Sequence, residues 1–110
     1  NLVYKLTEKY PKEEKYNTVK HMRSCVRNIP GNIAEGFGRF HYQKSMQFYR
    51  IARGSLAELK SDVYCSFDSG YISEDDFKTL LDQINTVGML LNGFIKSTIK
   101  IKGGNHTNNE

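Results

Sequence analysis

Three long stretches of the chain repeat apolar side chains at every third or fourth position, and this spacing constrains the fold more than any other feature. They span residues 19–33, 42–67 and 77–101. Such spacing aligns the side chains on one face of an α-helix, and that face must be buried against another helix. No run alternates apolar and polar residues as a strand would, so the sequence predicts an all-α fold. The three stripes are Val19, Met22, Val26, Ile29 and Ile33; Tyr42, Met46, Tyr49, Ala52, Leu56, Leu59, Val63 and Phe67; and Phe77, Leu80, Ile84, Val87, Leu91, Phe94, Thr98 and Ile101.

Residues typical of helix ends bracket these stripes. Gly70 ends the second predicted long helix after about 27 residues. Ser73 is the predicted N-cap of the last helix, and the acids at 74–76 suit its first turn. Pro30 lies inside the first stripe, where we expect it to bend the helix without ending it.

A shorter helical segment precedes the first stripe. Residues 1–9 read as the last turns of a helix that breaks at Tyr10 and Pro11, so we expect the chain to begin partway into a longer first helix. Four amphipathic segments with short connections predict an antiparallel up-and-down four-helix bundle. We assign residues 1–102 to this single domain and residues 103–110 to a flexible polar tail.

Length and composition narrow the functional class. The chain has 110 residues, which is room for one domain. No apolar run approaches the roughly 20 residues of a membrane helix, and no secretory leader opens the sequence, so we expect a cytoplasmic protein without a membrane partner. Cys25 and Cys65 lack the spacing of a disulfide framework and are predicted to be reduced thiols that pack as small apolar residues.

Positive charge is concentrated in the middle of the chain. The formal net charge is +4, but residues 15–60 hold nine bases against two acids, a net charge of +7. All five arginines lie in this stretch. Because a guanidinium matches phosphate and carboxylate geometry, the distribution favours a polyanion or an acidic protein surface as partner.

The sequence shows none of the metal-binding or phosphate-binding motifs that are typical of enzymes. Its three histidines form no i, i+4 pair with each other, and we find no H-E-x-x-H motif and no Cys/His cluster, which predicts no metal site. Gly31, Gly36 and Gly38 do not continue into a phosphate-binding loop. We therefore expect a protein that is not an enzyme and needs no cofactor.

A polar group interrupts the apolar face near the end of the first long helix. Asn32, Glu35 and Arg39 share one helical face, and Arg53 on the next helix is a further candidate partner for Glu35. Two interpretations are open: a functional polar site between helices, or ion pairs that fix packing. The stretch 37–50 interleaves aromatic residues, Phe40 among them, with bases, which suits stacking on single-stranded nucleic acid and a subunit interface equally.

Three ordered motifs resemble a known family. Leu6-Thr7 with Tyr10-Pro11-Lys12-Glu13-Glu14, then Ile29-Pro30-Gly31-Asn32-Ile33-Ala34-Glu35-Gly36 with Arg39, then Ile51-Ala52-Arg53-Gly54-Ser55-Leu56-Ala57-Glu58-Leu59 are similar to those of the bacterial 23S rRNA intervening-sequence proteins. The resemblance runs from Leu6 to Lys100. It departs in two places, because the family's first helix usually starts further upstream and Gly31 stands where alanine is more usual.

The resemblance implies a cytoplasmic four-helix bundle that assembles as a homopentamer with a central channel. It also implies kinship to the accessory proteins of diversity-generating retroelements, which bind nucleic acid and work beside a reverse transcriptase. Many family members have no established function.

Charge and resemblance lead to two hypotheses from different classes. The first is an oligomeric protein that binds RNA or DNA through a basic face. The second is a structural scaffold that docks a protein partner with an acidic surface, such as a reverse transcriptase. The predicted phosphate contacts are Lys20, Arg23, Arg27, Arg50 and Arg53.

Overall fold

The structure, a computed structural model, describes residues 1–39 and 41–109, with side chains as far as Lys102. Its helices confirm the all-α prediction, and none of the described residues forms a strand. The α-helices are α1 (Leu2–Thr7), α2 (Lys20–Phe37), α3 (Tyr42–Asp68) and α4 (Glu74–Asn109). A 3-10 turn at Lys12–Glu14 and a π-helical turn at Lys15–Val19 lead into α2.

The predicted helix ends are confirmed where the structure describes them. The Ser73 Oγ accepts a hydrogen bond from the Asp76 N–H at 3.1 Å, which caps α4. Gly70 follows α3 with φ of 80°, a left-handed conformation that favours glycine. Pro30 lies within α2, which continues to Phe37. The predicted tail begins at residue 103, so its side chains lie outside the described residues, and α4 is assigned to Asn109.

Two buried clusters form the core. The larger joins α1, α2, α3 and the first half of α4, with Met22, Val63 and Leu80 fully enclosed. The smaller joins the start of α3 to the later part of α4 around Leu91. Most residues of the three predicted stripes lie in these clusters or pack against them. The prediction is wrong for Ile101, which was placed on a buried stripe but is 60% exposed.

A close approach between α2 and α3 depends on Gly36. A Cβ atom at this position would lie 2.5 Å from Cε1 of the buried Tyr49 ring. The Ser45 hydroxyl donates a hydrogen bond to the Gly36 carbonyl at 2.9 Å, across the turn between the helices. Gly36 therefore lets the end of α2 lie directly against α3.

Within the part of the chain that the structure describes, no helix combines the length and apolar character needed to cross a membrane.

Candidate functional site

Four of the five predicted phosphate contacts lie on the surface. Lys20 and Arg27 are exposed on α2, seven residues apart and hence on one side of that helix. Arg50 and Arg53 are exposed on α3. Among the residues whose side chains are described, none of these four forms an ion pair. Their charges are therefore available to an external anion.

Arg23, the fifth, is held by α1. Its Nε donates a hydrogen bond to the Thr7 Oγ1 at 3.0 Å, and its Nη2 donates to the Tyr4 carbonyl at 3.2 Å. The guanidinium also lies over the Tyr4 ring, 4.9 Å from its centroid. The half-buried Arg23 therefore joins α1 to α2, a role the sequence pattern did not indicate.

Replacing Arg23 with alanine is expected to lower the free energy of unfolding by about 1 kcal/mol, because the variant lacks two hydrogen bonds from a charged donor at a partly exposed site. Arg27→Ala on the same helix is the matched control and should change stability by less than about 0.5 kcal/mol. Urea denaturation followed by circular dichroism measures both. Equal stability of the two variants would show that the hydrogen bonds of Arg23 do not stabilise the fold.

The polar network predicted around Glu35 forms only in part. The Arg39 Nη2 donates to the Glu35 Oε2 at 2.7 Å, and both side chains are about half exposed. The Asn32 amide donates to the Asn28 carbonyl within its own helix. No ion pair joins Glu35 to Arg53 within residues 1–39 and 41–102, and Arg53 instead lines the groove between α3 and α4. The Glu35–Arg39 pair therefore lies on the surface of α2 and not between helices.

An open cleft of about 510 Å³ lies where the end of α2, the start of α3 and the later part of α4 meet. Three cationic or titratable side chains, Arg39, His41 and Lys102, lie beside aromatic rings. The Lys102 Nζ is 5.5 Å from the centroid of Tyr42, and Phe37 is 62% exposed. The predicted contribution of Phe40 lies outside the described residues. The cleft thus combines exposed π faces with positive charge.

A second polar group lies between α2 and α3, at some distance along α2 from this cleft. The His21 Nε2 lies 3.0 Å from the Glu58 Oε2 and 3.9 Å from the Cys25 Sγ. The other ring nitrogen, Nδ1, hydrogen-bonds to the Asp62 carboxylate. This arrangement joins one histidine and one cysteine to two carboxylates, which the sequence motifs for metal sites do not describe. We call His21, Cys25, Glu58 and Asp62 the α2–α3 polar cluster.

Ionisation in the α2–α3 polar cluster is shifted by its neighbours. Hydrogen bonds to Asp62 and then Glu58 raise the pKa of His21, because both carboxylates favour the imidazolium form. Burial, together with the charges of Glu58 and Asp62, raises the pKa of Cys25 and keeps its thiol protonated. Cys25 is buried as predicted, whereas Cys65 is exposed, contrary to the expectation for that thiol.

Two i, i+4 pairs in the sequence carry the signal for this cluster. His21 and Cys25 are four residues apart on α2, and Glu58 and Asp62 are four residues apart on α3. Each pair occupies one side of its helix. A pattern of paired histidines cannot reveal this cluster, since its donors differ in kind and come from two helices.

No curated protein matches the chain. The model of a family described as 23S rRNA-intervening sequence protein matches residues 1–93. Because this match covers far more than half of the sequence, the chain belongs to the 23S rRNA-intervening sequence protein family.

Proposed function

We propose that this protein is a non-enzymatic, oligomeric, cytoplasmic nucleic-acid-binding protein, whose helices form an antiparallel up-and-down bundle. RNA or DNA contacts Lys20, Arg27, Arg50 and Arg53, and Arg23 joins α1 to α2, the helix that carries two of these bases. The observation that carries the proposal is that these four bases are exposed and form no ion pair among the described side chains. Unpaired surface cations bind phosphates by releasing the counterions condensed on the nucleic acid.

The cleft at the end of α2 favours a single-stranded nucleic acid as the ligand. Successive unpaired bases stack on exposed rings, while neighbouring cations contact the backbone. Phe37 and Tyr42 supply such rings, and Arg39 and Lys102 supply the charges. Phe37 also meets Phe94, another ring that lines the cleft, edge to face with 4.8 Å between the ring centroids, so these two rings form a preassembled aromatic surface.

Exposed apolar residues support assembly of several copies. Met89 is 75% exposed and Leu90 is 57% exposed on α4, so two adjacent large apolar side chains face the solvent. Burial of this surface against another copy would remove it from solvent. In the proposed assembly five copies combine, as the family resemblance implies.

Binding of a fluorescent single-stranded RNA, measured by anisotropy between about 50 and 200 mM salt, tests the proposal. We expect the affinity to fall steeply with salt. The double variant Arg50→Ala, Arg53→Ala should bind more weakly, and its log–log salt slope should be smaller by about 0.7 for each phosphate that the variant no longer neutralises. Light scattering on the same samples should give a mass above that of one chain.

Lysines on α4 provide the matched control. Lys96→Ala with Lys100→Ala also removes two exposed positive charges, but from a surface outside the proposed contact. This control should keep most of the affinity for RNA. Equal decreases in affinity for both double variants would show that binding depends on net charge alone and would contradict a contact at Arg50 and Arg53.

The scaffold hypothesis has its own supporting observation, the exposed Met89 and Leu90, which suit a protein partner as well as another copy. If the native protein shows no RNA or DNA binding at low salt, nucleic-acid binding is refuted. The exposed bases would then serve to dock a protein with an acidic surface, such as a reverse transcriptase.

A further inference from the structure

Three different metal-binding atoms converge between α2 and α3. The His21 Nε2, the Cys25 Sγ and a Glu58 carboxylate oxygen all lie within 4.8 Å of one another. A tetrahedral zinc ion with bond lengths of about 2.0–2.3 Å holds its ligand atoms about 3.4–3.6 Å apart. The observed separations of 3.0 Å and 3.9 Å from Nε2 bracket that range. The third pair, the Cys25 Sγ and the Glu58 carboxylate, lies within 4.8 Å, so a movement of the exposed Glu58 side chain by up to about 1 Å would bring the three atoms around one ion.

Asp62 prepares the histidine for this role. Its carboxylate contacts Nδ1, so a neutral His21 keeps its proton on that nitrogen and turns the Nε2 lone pair toward Glu58. Histidines that bind metals usually donate their other ring N–H to a carboxylate in this way, which fixes the tautomer and the ring orientation.

In neutral His21 the lone pairs of Nε2 and the Glu58 carboxylate face each other, and either a proton or a metal ion between them removes the repulsion. A proton shared by these two atoms satisfies both but leaves the buried Cys25 thiol without a role in the contact. A metal ion satisfies all three at once, and the thiol becomes a thiolate ligand as its proton leaves to solvent.

Access and rigidity also favour a metal. The His21 side chain is 45% exposed and that of Glu58 is 63% exposed, so an ion enters from solvent, while Cys25 forms the floor of the group. His21 and Cys25 lie on α2 and Glu58 lies on α3, two helices that pack side by side, so no donor belongs to a loop. Solvent reaches the remaining coordination position, where a water molecule completes a tetrahedron.

From these observations we propose that His21, Cys25 and Glu58 bind one divalent transition-metal ion of the zinc class, with Asp62 as the positioning residue for His21. Thiolate and imidazole ligands select such ions over Mg²⁺ and Ca²⁺, which prefer sites made of oxygen atoms alone. The ion would link α2 to α3 and raise the stability of the folded chain.

Titration of the full chain with Zn²⁺ and with Co²⁺ tests the proposal. Calorimetry should give one Zn²⁺ per chain, and Zn²⁺ should raise the melting temperature while Mg²⁺ leaves it unchanged. The Co²⁺ complex should show a thiolate-to-cobalt charge-transfer band in the near ultraviolet, which only a sulfur ligand produces.

The chain contains matched controls for both donors. Cys25→Ser should abolish the charge-transfer band, whereas Cys65→Ser, at the exposed thiol on α3, should leave it intact. His21→Gln should weaken Zn²⁺ binding strongly, whereas His41→Gln should not. Asp62→Asn should weaken it by about 10- to 100-fold with the band retained, as expected when a ligand is deprived of its orienting partner.

Each of the following results would overturn the proposal: no charge-transfer band in the native protein, a band that survives Cys25→Ser, or equal Zn²⁺ affinity in the His21→Gln and His41→Gln variants. Circular dichroism of each metal-free variant separates loss of the site from loss of the fold. Because Glu58 is exposed, Glu58→Gln is the variant that keeps the core intact, and unchanged Zn²⁺ affinity in it would also contradict the site.

Discussion

Leu91→Ala is expected to lower the free energy of unfolding by about 2–5 kcal/mol. Leu91 is 0% exposed and lies in the smaller core cluster, against Met46, Tyr49 and Ile95. Truncation removes buried methyl groups and leaves a cavity that the surrounding helices fill only partly. Equilibrium denaturation in urea or guanidinium gives the value directly.

The adjacent Leu90 is the control for this prediction. It has the same side chain on the same helix but is 57% exposed, so Leu90→Ala should change the stability of a single chain by less than about 0.5 kcal/mol. Equal destabilisation at Leu90 and Leu91 would contradict the orientation of α4. A destabilisation at Leu90 that depends on protein concentration would instead place Leu90 in the interface between copies.

Gly36→Ala is expected to destabilise the protein by about 2 kcal/mol, although alanine is the better helix former. The new Cβ would lie 2.5 Å from Tyr49, whose ring is 3% exposed and packed against Phe37 and Phe94. The ring must move or the two helices must separate. Thermal and urea denaturation of the variant measure the cost.

Gly54→Ala provides the opposite case. Gly54 lies within α3, and a Cβ there would meet no atom within 4 Å. This substitution should stabilise the protein by about 0.5–1 kcal/mol, because alanine loses less conformational entropy in a helix than glycine. The same sign for Gly36→Ala and Gly54→Ala would rule out a close approach of α2 to Tyr49.

The family's motifs acquire a physical explanation from this packing. Gly36 ends the motif that begins at Ile29, and its missing side chain is what lets the helices meet. Glu35 in the same motif pairs with Arg39 on the surface, so its contribution to stability is small. Two neighbouring residues of one motif thus serve different purposes, one in packing and one at the surface.

The helices themselves follow from the sequence alone. Apolar spacing of three and four, Ser73 as N-cap and Gly70 as terminator act within one or two turns, so they operate before distant parts of the chain meet. For this reason the 27-residue length of α3 and the start of α4 agree with prediction. Ile101 disagrees because periodicity does not show where a neighbouring helix stops covering the stripe.

The surface charges were predicted less well than the core. Spacing places Lys20, Arg23 and Arg27 near one another on α2, yet it contains no information about what α1 offers to Arg23. Similarly, Arg53 and Glu35 carry opposite charges, but Arg53 lines the groove between α3 and α4, whereas Glu35 pairs with Arg39. Opposite charges attract in many relative positions, so the packing of the helices decides which charged side chains pair.

The sequence by itself determined that this chain is all-helical, where most of its helices begin and end, which faces are buried, and that positive charge gathers in residues 15–60. Tertiary structure decided which charged side chains remain free among the described residues, that Gly36 lies against Tyr49, and that His21 and Cys25 on α2 meet Glu58 and Asp62 on α3. Helix formation and amphipathic faces arise from residues three or four positions apart. Contacts between residues some 40 positions apart depend on how two helices rotate and slide against each other, and no local pattern specifies that rotation.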